Sequence, residues 1–450
     1  MAAVSSLLQS SQPRGSRFQK TEISLGMTKS AETDWSRLPY PALLLVFQQL
    51  DVIDRCHAYL TCRAWLHKLS PPSLWRSCHF TLHPTTADTS PQFPVILGES
   101  LRHLQVDCSD DSRTKVVYDL LESMLQAGNQ RLVTVSLTSM RRLQPDFIHA
   151  TPDLVKHLAT LLANQRQLRV LDLTNADLTI NQGVQLLAAA RNTIHTLAID
   201  NLFFTWFDYS LIKDIEDAIF RFTNLKDLEI NYDCLRDSLL YGLAKTARNK
   251  LQTIKIVVSN NYTIEEVTTS AAWLNLTSAC PHLKVVFVIE LENDMCADDD
   301  LINALTPSMP LHALHFTAGT ELTHLTEETF EYIGDTFKNS LRHVQIKYES
   351  YLPKRYIVEL INSCSSLETV TVMERFQSSY VTINFKRLPR TSRACFRQTH
   401  TFTVTLDAEF KVVLEPQVTP PHTSWSVDRM KSYWTAAYNS WVGVYKWWTK

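Results

Sequence analysis

A short apolar motif recurs along most of the chain, from Leu101 to about residue 375. It has the form Leu/Ile-x-x-apolar-x-apolar, and its last apolar positions alternate with variable ones. The ten copies begin at Leu101, Leu132, Leu168, Ile194, Leu225, Leu251, Leu283, Leu311, Leu341 and Leu367. Successive copies start 26 to 36 residues apart. Alternation of this kind is typical of a strand that buries one face, so the pattern predicts ten equivalent β-strands.

The segments between the motifs predict helices. Residues 179–190 and 237–247 carry apolar residues at three- and four-residue steps after a polar start. A strand and a helix recurring at this period are typical of long leucine-rich repeats, which stack because one repeat cannot bury its own apolar face. We predict an α/β solenoid with parallel strands on the concave face and helices outside. The alternative, a doubly wound α/β domain, seldom repeats ten strands at one period and needs glycine at its phosphate turn.

The flanking regions have different compositions. Residues 1–33 are Ser-rich and predicted to be a disordered tail, 34–80 form a helical segment, and 81–97 form a Pro/Thr-rich linker. The repeats are placed at 98–386, and 387–450 are irregular. Within the last segment an amphipathic helix is predicted, because one face would carry Met430, Trp434, Ala437, Trp441, Tyr445 and Trp448. Two interpretations of this helix stay open: a cap on the last repeat, and a helix that binds a partner or a membrane.

The helical segment contains an ordered set of apolar and aromatic residues. Leu38-Pro39 opens it, an apolar run ends in Val46-Phe47-x-x-Leu50, and Cys62-Arg63-x-Trp65 and Leu74-Trp75 follow. In this order and spacing the segment resembles the F-box. It departs from the family pattern at Pro41, Ala42 and Thr61, where an acidic, a large apolar and an aliphatic residue are usual. Pro41 is tolerable because an N–H in the first helical turn has no intrahelical partner.

The resemblance implies a three-helix F-box that binds a Skp-type adaptor, and through it a cullin scaffold and a RING subunit. The implied adaptor-binding residues are Leu38, Pro39, Leu43, Leu44, Phe47 and Leu50. Whether Leu43 and Phe47 belong instead to the internal core stays open. The repeats are similar to those of the F-box only protein 39 and 33 group at residues 178–187, 231–240 and 273–287. The competing interpretation of residues 34–80 is a helical cap on the solenoid.

The amino-acid composition argues against several classes of function. The formal net charge of -2 favours neither nucleic acid nor anionic membrane, and only 9 glycines argue against a nucleotide-binding loop. The 9 cysteines are scattered, which is typical of reduced thiols in a cytoplasmic or nuclear protein. No cofactor, metal site or catalytic constellation is expected. The resemblance therefore implies a non-catalytic substrate receptor of a Skp–cullin–F-box ubiquitin ligase, and the alternative is a leucine-rich scaffold acting outside a ligase.

The substrate is expected on the concave face of the solenoid. We take the third, fifth and seventh residues of each motif to face the concave side. An apolar strip anchored at Phe287 would then lie between acidic and basic stretches, as at the centre of a protein interface. The candidate substrate-binding residues are Asp227, Glu229, Lys255, Val257, Val285, Phe287, Ile289 and His315. The alternative to substrate binding is that a loop or the Trp-rich tail of the chain itself covers this apolar strip.

Overall fold

The computed structural model describes residues 38–50, 52–68, 72–81, 100–107, 121–138, 152–176, 178–200, 202, 212–259, 267–291, 298–318, 327–348, 360, 363–374, 379–384, 404–406 and 412–414. The predicted N-terminal tail, the linker beyond Thr81 and the predicted Trp-rich helix lie outside these residues. The chain divides into two compact units, residues 1–70 and 71–450, and each is described by itself.

Three helices form the described part of the first unit: α1 Tyr40–Gln49, α2 Val52–Thr61 and α3 Arg63–Lys68. Pro41 lies in the first turn of α1, where its missing N–H leaves no bond unmade. At the other end, Arg55 on α2 donates to the carbonyls of Phe47 and Leu50, at 3.0 and 2.8 Å. The guanidinium thus satisfies carbonyls that the end of α1 leaves without helical partners.

A twelve-stranded sheet forms the inner layer of the second unit, and its strands lie side by side in sequence order. The first eleven strands are parallel, and β12 pairs antiparallel with β11. The strands are β1 Ser77–Thr81, β2 His103–Asp107, β3 Thr134–Thr138, β4 Val170–Asp172, β5 Thr196–Ala198, β6 Asp227–Asn231, β7 Thr253–Ser259, β8 Lys284–Leu291, β9 Leu311–Ala318, β10 His343–Tyr348, β11 Thr369–Glu374 and β12 Ser379–Asn384. All ten predicted strands are present, as β2 to β11.

Helices follow most of these strands and pack on one face of the sheet. They are α4 Pro152–Asn164, α5 Ile180–Ala189, α6 Ile212–Phe220, α7 Asp237–Thr246, α8 Ser270–Ala279, α9 Asp298–Ala304 and α10 Glu327–Phe337. Because sequential parallel strands are joined by right-handed crossovers, successive helices fall on the same side. Phe316 on β9 and Phe330 on α10 meet there, with ring centroids 5.8 Å apart. The predicted α/β solenoid is therefore confirmed.

Buried amides join the first repeats at their turns. Asn129 donates to the Leu101 carbonyl at 3.0 Å, and Gln165 donates to the Asn129 carbonyl at 2.8 Å. The Gln165 side chain also accepts from the backbone N–H of Leu132. Buried backbone groups outside the strands need such partners, so these two side chains fix the stacking of successive turns.

Two strands of the large sheet, β1 and β12, lie outside the ten predicted motifs. β1 comes before the first motif, and its residues Ser77–Thr81 pair in register with His103–Asp107. The predicted end of the helical segment at residue 80 therefore falls inside a strand of the solenoid. β12 adds an antiparallel strand after the last motif. A separate two-stranded sheet joins β13 Val404–Leu406 and β14 Val412–Leu414.

Candidate functional site: an apolar helix face and a concave sheet

Helix α1 carries more apolar side chains than its own unit buries. Among its residues only Leu43 and Phe47 are buried, one turn apart, and the Phe47 ring packs edge-on against Trp65 at 5.3 Å between centroids. These two residues are internal core, which corrects their assignment as adaptor contacts. The reason is helical geometry, since residues at i and i+4 share a face and this face meets the other helices.

The other predicted adaptor residues are accessible to different degrees. Pro39 is exposed, and Leu38, Leu44 and Leu50 are half-buried. Their contact with an adaptor stays a prediction.

Three exposed apolar residues of α1 were missing from the predicted set. Leu45 is 62% exposed, Val46 45% and Tyr40 42%. Leu45 lies opposite Leu43 and Phe47 in the helical period, which was a signal that could have found it. They extend the accessible apolar surface of α1, and the name adaptor face is used below for the exposed neighbours Leu45 and Val46.

The concave face of the solenoid is defined by the strand register. Asp227, Thr253 and Lys284 lie in one row across β6, β7 and β8, and Glu229 pairs with Lys255 in the next. The side chains between them, Ile254 and Ile256, are fully buried against the helices. Asp227, Glu229 and Lys255 are therefore on the predicted concave side, and all three are half-buried.

On β8 the predicted register is wrong by one residue. Val285 and Phe287 pair with the core residues Ile254 and Ile256, and Ile289 pairs with Val258. Val285, Phe287 and Ile289 are all 0% exposed, so they belong to the core and cannot contact a substrate. The Phe287 ring packs against Tyr232 at 6.1 Å between centroids.

The physical reason is that the β8 motif is one residue shorter between its first two core positions. Leu283 and Val285 are both buried, with a single residue between them. From Val285 to Ile289 every residue is apolar, so the sequence does not show which of these side chains face the core and which face the concave side. Lys284 was the available signal, since it pairs with Thr253 on the concave side. The concave residues of β8 are instead Lys284, Val286, Val288 and Glu290.

The remaining predicted substrate residues differ in accessibility. Val257 faces the concave side but is 2% exposed, so it is not an open contact. His315, on β9, pairs with Val288 and is half-buried. Burial, followed by the charges of Lys255 and His343, lowers the pKa of His315. The neutral imidazole is therefore favoured at neutral pH.

A charged network crosses the concave face from β3 to β7. Ser136 donates to Asp172 at 2.7 Å, and the Thr174 hydroxyl lies 2.8 Å from carboxylate oxygens of both Asp172 and Asp200. Glu229 pairs with the ammonium group of Lys255. This network fixes the orientation of the carboxylates along the sheet.

Among the carboxyl groups of this network, Asp200 has the most strongly shifted pKa. Burial and the charge of Glu229 raise the pKa of Asp200 from 3.8 to about 7, against the opposing effects of Thr174 and Lys255. A buried carboxyl beside a second carboxylate holds its proton more tightly because two like charges there repel. Asp200 is thus partly protonated near neutral pH.

The described residues contain no cluster of three or more His, Cys, Asp or Glu side chains that could hold a metal ion. Within the same part of the chain, no helix is both long and apolar enough to cross a bilayer. Cys234 is buried, and burial raises the pKa of its thiol, which disfavours the nucleophilic thiolate.

Comparison with known proteins finds likeness in both units. Residues 35–81 match the family model described as F-box-like. F-box/LRR-repeat protein 21 of Ovis aries is 27% identical over 251 residues, covering 53% of this chain and 55% of the relative. The Bos taurus protein of the same name is 27% identical over 241 residues, covering 52% and 54%. The chain thus spans about half the length of the curated relatives it matches.

Among solved structures, the leucine-rich repeat-containing protein LegL7 from Legionella pneumophila aligns with 14% identity and a TM-score of 0.39. The alignment covers 67% of this chain and 92% of that protein. The family match, the two relatives and the sheet topology together identify an F-box-like domain followed by a leucine-rich-repeat solenoid.

Proposed function

We propose that the chain is the substrate-recognition subunit of a Skp–cullin–F-box ubiquitin ligase. The F-box-like domain binds a Skp-type adaptor, which brings the cullin scaffold and RING subunit, and the solenoid captures the substrate. The chain itself is a non-catalytic adaptor, acting in the cytoplasm or nucleus. The observation that carries the proposal is the adaptor face, an exposed apolar surface on a helix inside the family match.

The energetics of the small helical unit support a partner on this face. Contiguous exposed apolar side chains are costly in water and are typical of interaction surfaces. Leu45 and Val46 are adjacent and both largely exposed, whereas the equally apolar Leu43 and Phe47 are buried. A protein partner that covers this face removes apolar area from water at about 25 cal/mol per Å². The predicted residues Leu38, Pro39, Leu44 and Leu50 are each at least partly accessible and stay part of the proposed adaptor contact.

For the substrate, we propose the charged part of the concave face. Asp227, Glu229, Lys255 and His315 are half-buried there, with both signs of charge present. Such a surface favours a polar segment carrying complementary charges. Glu229 and Lys255 already form an ion pair with each other. A substrate therefore gains most binding free energy if one of its own charged groups replaces one member of that pair.

The adaptor proposal is tested by co-purification of a Skp-type adaptor with the full chain. The double variant Leu45→Asp/Val46→Asp should weaken adaptor binding at least tenfold, because the charges would be buried without partners. Gln48→Asp/Gln49→Asp is the matched control, since both glutamines are exposed on the same helix and the variant adds the same two charges. Adaptor binding that survives the double variant contradicts the proposal.

Cullin co-purification separates a ligase subunit from a scaffold. Wild-type chain that captures the adaptor without the cullin would favour the leucine-rich scaffold acting outside a ligase. Substrates can be sought by affinity purification under proteasome inhibition. Lys255→Met should lose them, while Lys245→Met, on the exposed surface of α7, should retain them.

We also propose that the repeats are related to those of the F-box only protein 39 and 33 group. The stretches that support this are residues 178–187, 231–240 and 273–287. In the solenoid, the second stretch begins at the end of β6 and continues into α7, and the third runs from Trp273 on α8 to Phe287 on β8. A comparison of intron positions and of full-length orthologues would contradict this placement if the chain grouped elsewhere.

A further inference from the structure

Four basic side chains lie together where strands β8, β9 and β10 begin. Lys284 is the first residue of β8, His312 is the second of β9, and Arg342 and His343 stand at the start of β10. The His312 and His343 rings pack edge-on, with centroids 5.1 Å apart. Lys284 is exposed, and the other three residues are half-buried. These four residues are called the basic edge below.

An irregular register between β8 and β9 places His312 at this edge. Val285 pairs with Leu311. The next residue, Val286, pairs with Ala313, so β9 has one residue more than β8 at this point, and that residue is His312. A bulge of this kind re-aims a side chain and is over-represented next to active sites. Here it leaves the imidazole packed against the neighbouring imidazole of β10.

The Glu368 carboxylate lies beside the basic edge without saturating it. Its oxygens are 3.9 Å from Nη1 of Arg342 and 4.0 Å from Nε2 of His343. Both separations exceed those of hydrogen bonds, so these two contacts are ion pairs only. Arg342 donates an N–H to the Ser366 carbonyl at 3.1 Å, and its side chain is 39% exposed. Because a guanidinium has five N–H donors, Arg342 can bind a further acceptor from solvent.

The electrostatic environment of the basic edge is positive. Burial, followed by the charge of Lys284, lowers the pKa of His312. The charges of His343 and Arg342 act in the same direction, and that of Glu368 opposes them. An anion beside these groups would offset the repulsion between them. Since Glu368 already balances part of the positive charge, the remaining excess suits a carboxylate better than the more highly charged phosphate.

The rest of the concave face limits where an anionic group can lie. Glu290 is exposed further along β8, and Asp227 and Glu229 lie on β6 of the same face. Like charges brought together across an interface are costly, so both regions disfavour an acidic partner. Such a partner is therefore directed to the starts of β8, β9 and β10.

We propose that the basic edge binds an acidic peptide segment, whose carboxylates contact Lys284, Arg342 and the two imidazoles. From β8 to β10 is two strand spacings, about 10 Å, which about three extended residues span. A short run of acidic residues therefore reaches both ends of the basic edge. The site rests on the proposed function, because its ligand would be the substrate segment that the concave face captures.

Direct binding of a probe peptide to the purified full chain tests the site. The probe is a fluorescein-labelled Gly/Ser peptide with four successive glutamates, and fluorescence anisotropy at low ionic strength measures its affinity. Lys284→Gln/Arg342→Gln should weaken binding about tenfold or more, because it removes two contacting charges. Lys245→Gln/Arg248→Gln is the matched control, since both residues are exposed at the end of α7 and the same charge is removed.

The control should change the affinity by less than about twofold. Equal losses in the two double variants would show that only the overall charge matters and would overturn the site. If the variant at Arg342 fails to fold, Lys284→Gln alone decides, because Lys284 is exposed. That single variant should weaken binding about threefold or more, and unchanged affinity would overturn the site.

Removal of a negative charge gives a test of opposite sign. Glu368→Gln should strengthen probe binding about threefold or more, because the competing carboxylate beside Arg342 and His343 is lost. Glu331→Gln, on the exposed surface of α10, removes the same charge and should leave the affinity unchanged. An equal gain in both variants would overturn the site. Tenfold tighter binding of a probe with phosphoserines in place of the glutamates would overturn the assignment to carboxylates.

Binding also has a signature at His312 itself. Saturation with the probe should raise the pKa of His312, measured by NMR titration of its ring proton, because an adjacent anion favours the charged imidazole. An unchanged His312 pKa would overturn the site. These measurements contain no adaptor and no cullin. A chain that binds adaptor and cullin but not the probe therefore contradicts the site alone, whereas a chain that binds the probe but no adaptor supports the site and contradicts the proposed function.

Discussion

The F-box-like helices and the solenoid differ in how completely they bury large apolar side chains. In the ten residues of α1, three large apolar side chains are exposed, Tyr40, Leu45 and Val46. In the described part of the second unit, the exposed large apolar residues are Tyr241, Val267 and Leu274, spread over a far longer stretch. The contrast shows that the solenoid completes its own core by stacking, whereas the helical unit leaves apolar surface exposed, which is the surface that we propose an adaptor covers.

The largest expected effect concerns the two faces of β8. Phe287→Asp should unfold the second unit, with a loss of about 5 kcal/mol or more, because a carboxylate would enter the core without a partner. Val286→Asp, one residue away on the concave side, should cost about 1 kcal/mol or less. Thermal unfolding of the full chain compares the two. A reversed order of stabilities would show that the β8 register is the other one.

A second pair of variants sharpens the difference between core and surface within α1. Phe47→Ala should destabilise the helical unit by about 3–4 kcal/mol, since it removes a buried ring packed on Trp65. Leu45→Ala should change stability by less than about 0.5 kcal/mol but weaken adaptor binding. Chemical unfolding and adaptor titration are the two measurements. Equal destabilisation by both variants would mean that the adaptor face is part of the fold.

The third effect depends on pH. Because the folded-state pKa of Asp200 is about 7 and the ordinary value is 3.8, the folded chain holds the extra proton between these values. Stability from this group therefore falls as pH rises from about 4 to about 7, and the penalty is full above it. Asp200→Asn should raise stability at pH 8, on the order of 1–2 kcal/mol, and much less at pH 5. A gain that is independent of pH would argue against this titration.

The smallest expected effect is at a helix start in the solenoid. The Thr179 hydroxyl accepts from the Gln182 N–H, and the Gln182 side chain accepts from the Thr179 N–H. Thr179→Ala breaks one bond of this capping box and should cost about 1 kcal/mol. Thr160→Ala is the control, since the exposed Thr160 hydroxyl bonds only within its own helix α4. Equal unfolding midpoints for the two variants would show that the cap contributes nothing measurable.

The sequence predicts the fold better than the site, and particular residues show why. Ten strands follow from leucines at fixed positions because a buried position tolerates few residue types. The same argument fails from Val285 to Ile289, because in five successive apolar residues no polar position marks the exposed face of the strand. Leu43 and Leu45 are chemically identical, and only the packing of α2 and α3 makes one core and the other surface. β1 and β12 lack the motif, so their pairing depends on neighbouring strands.

The reversed direction of β12 has a consequence for how the array can grow. A parallel strand edge offers the same hydrogen-bonding pattern to each new repeat, so a stack of like repeats has no inherent stopping point. β12 runs antiparallel to β11 over six residue pairs, from Thr369–Asn384 to Glu374–Ser379, and so breaks that pattern. Repeats added between β2 and β11 would find matching neighbours on both sides, whereas a parallel repeat placed after β12 would not. The modular part of the molecule is therefore its interior, and length variation is expected there.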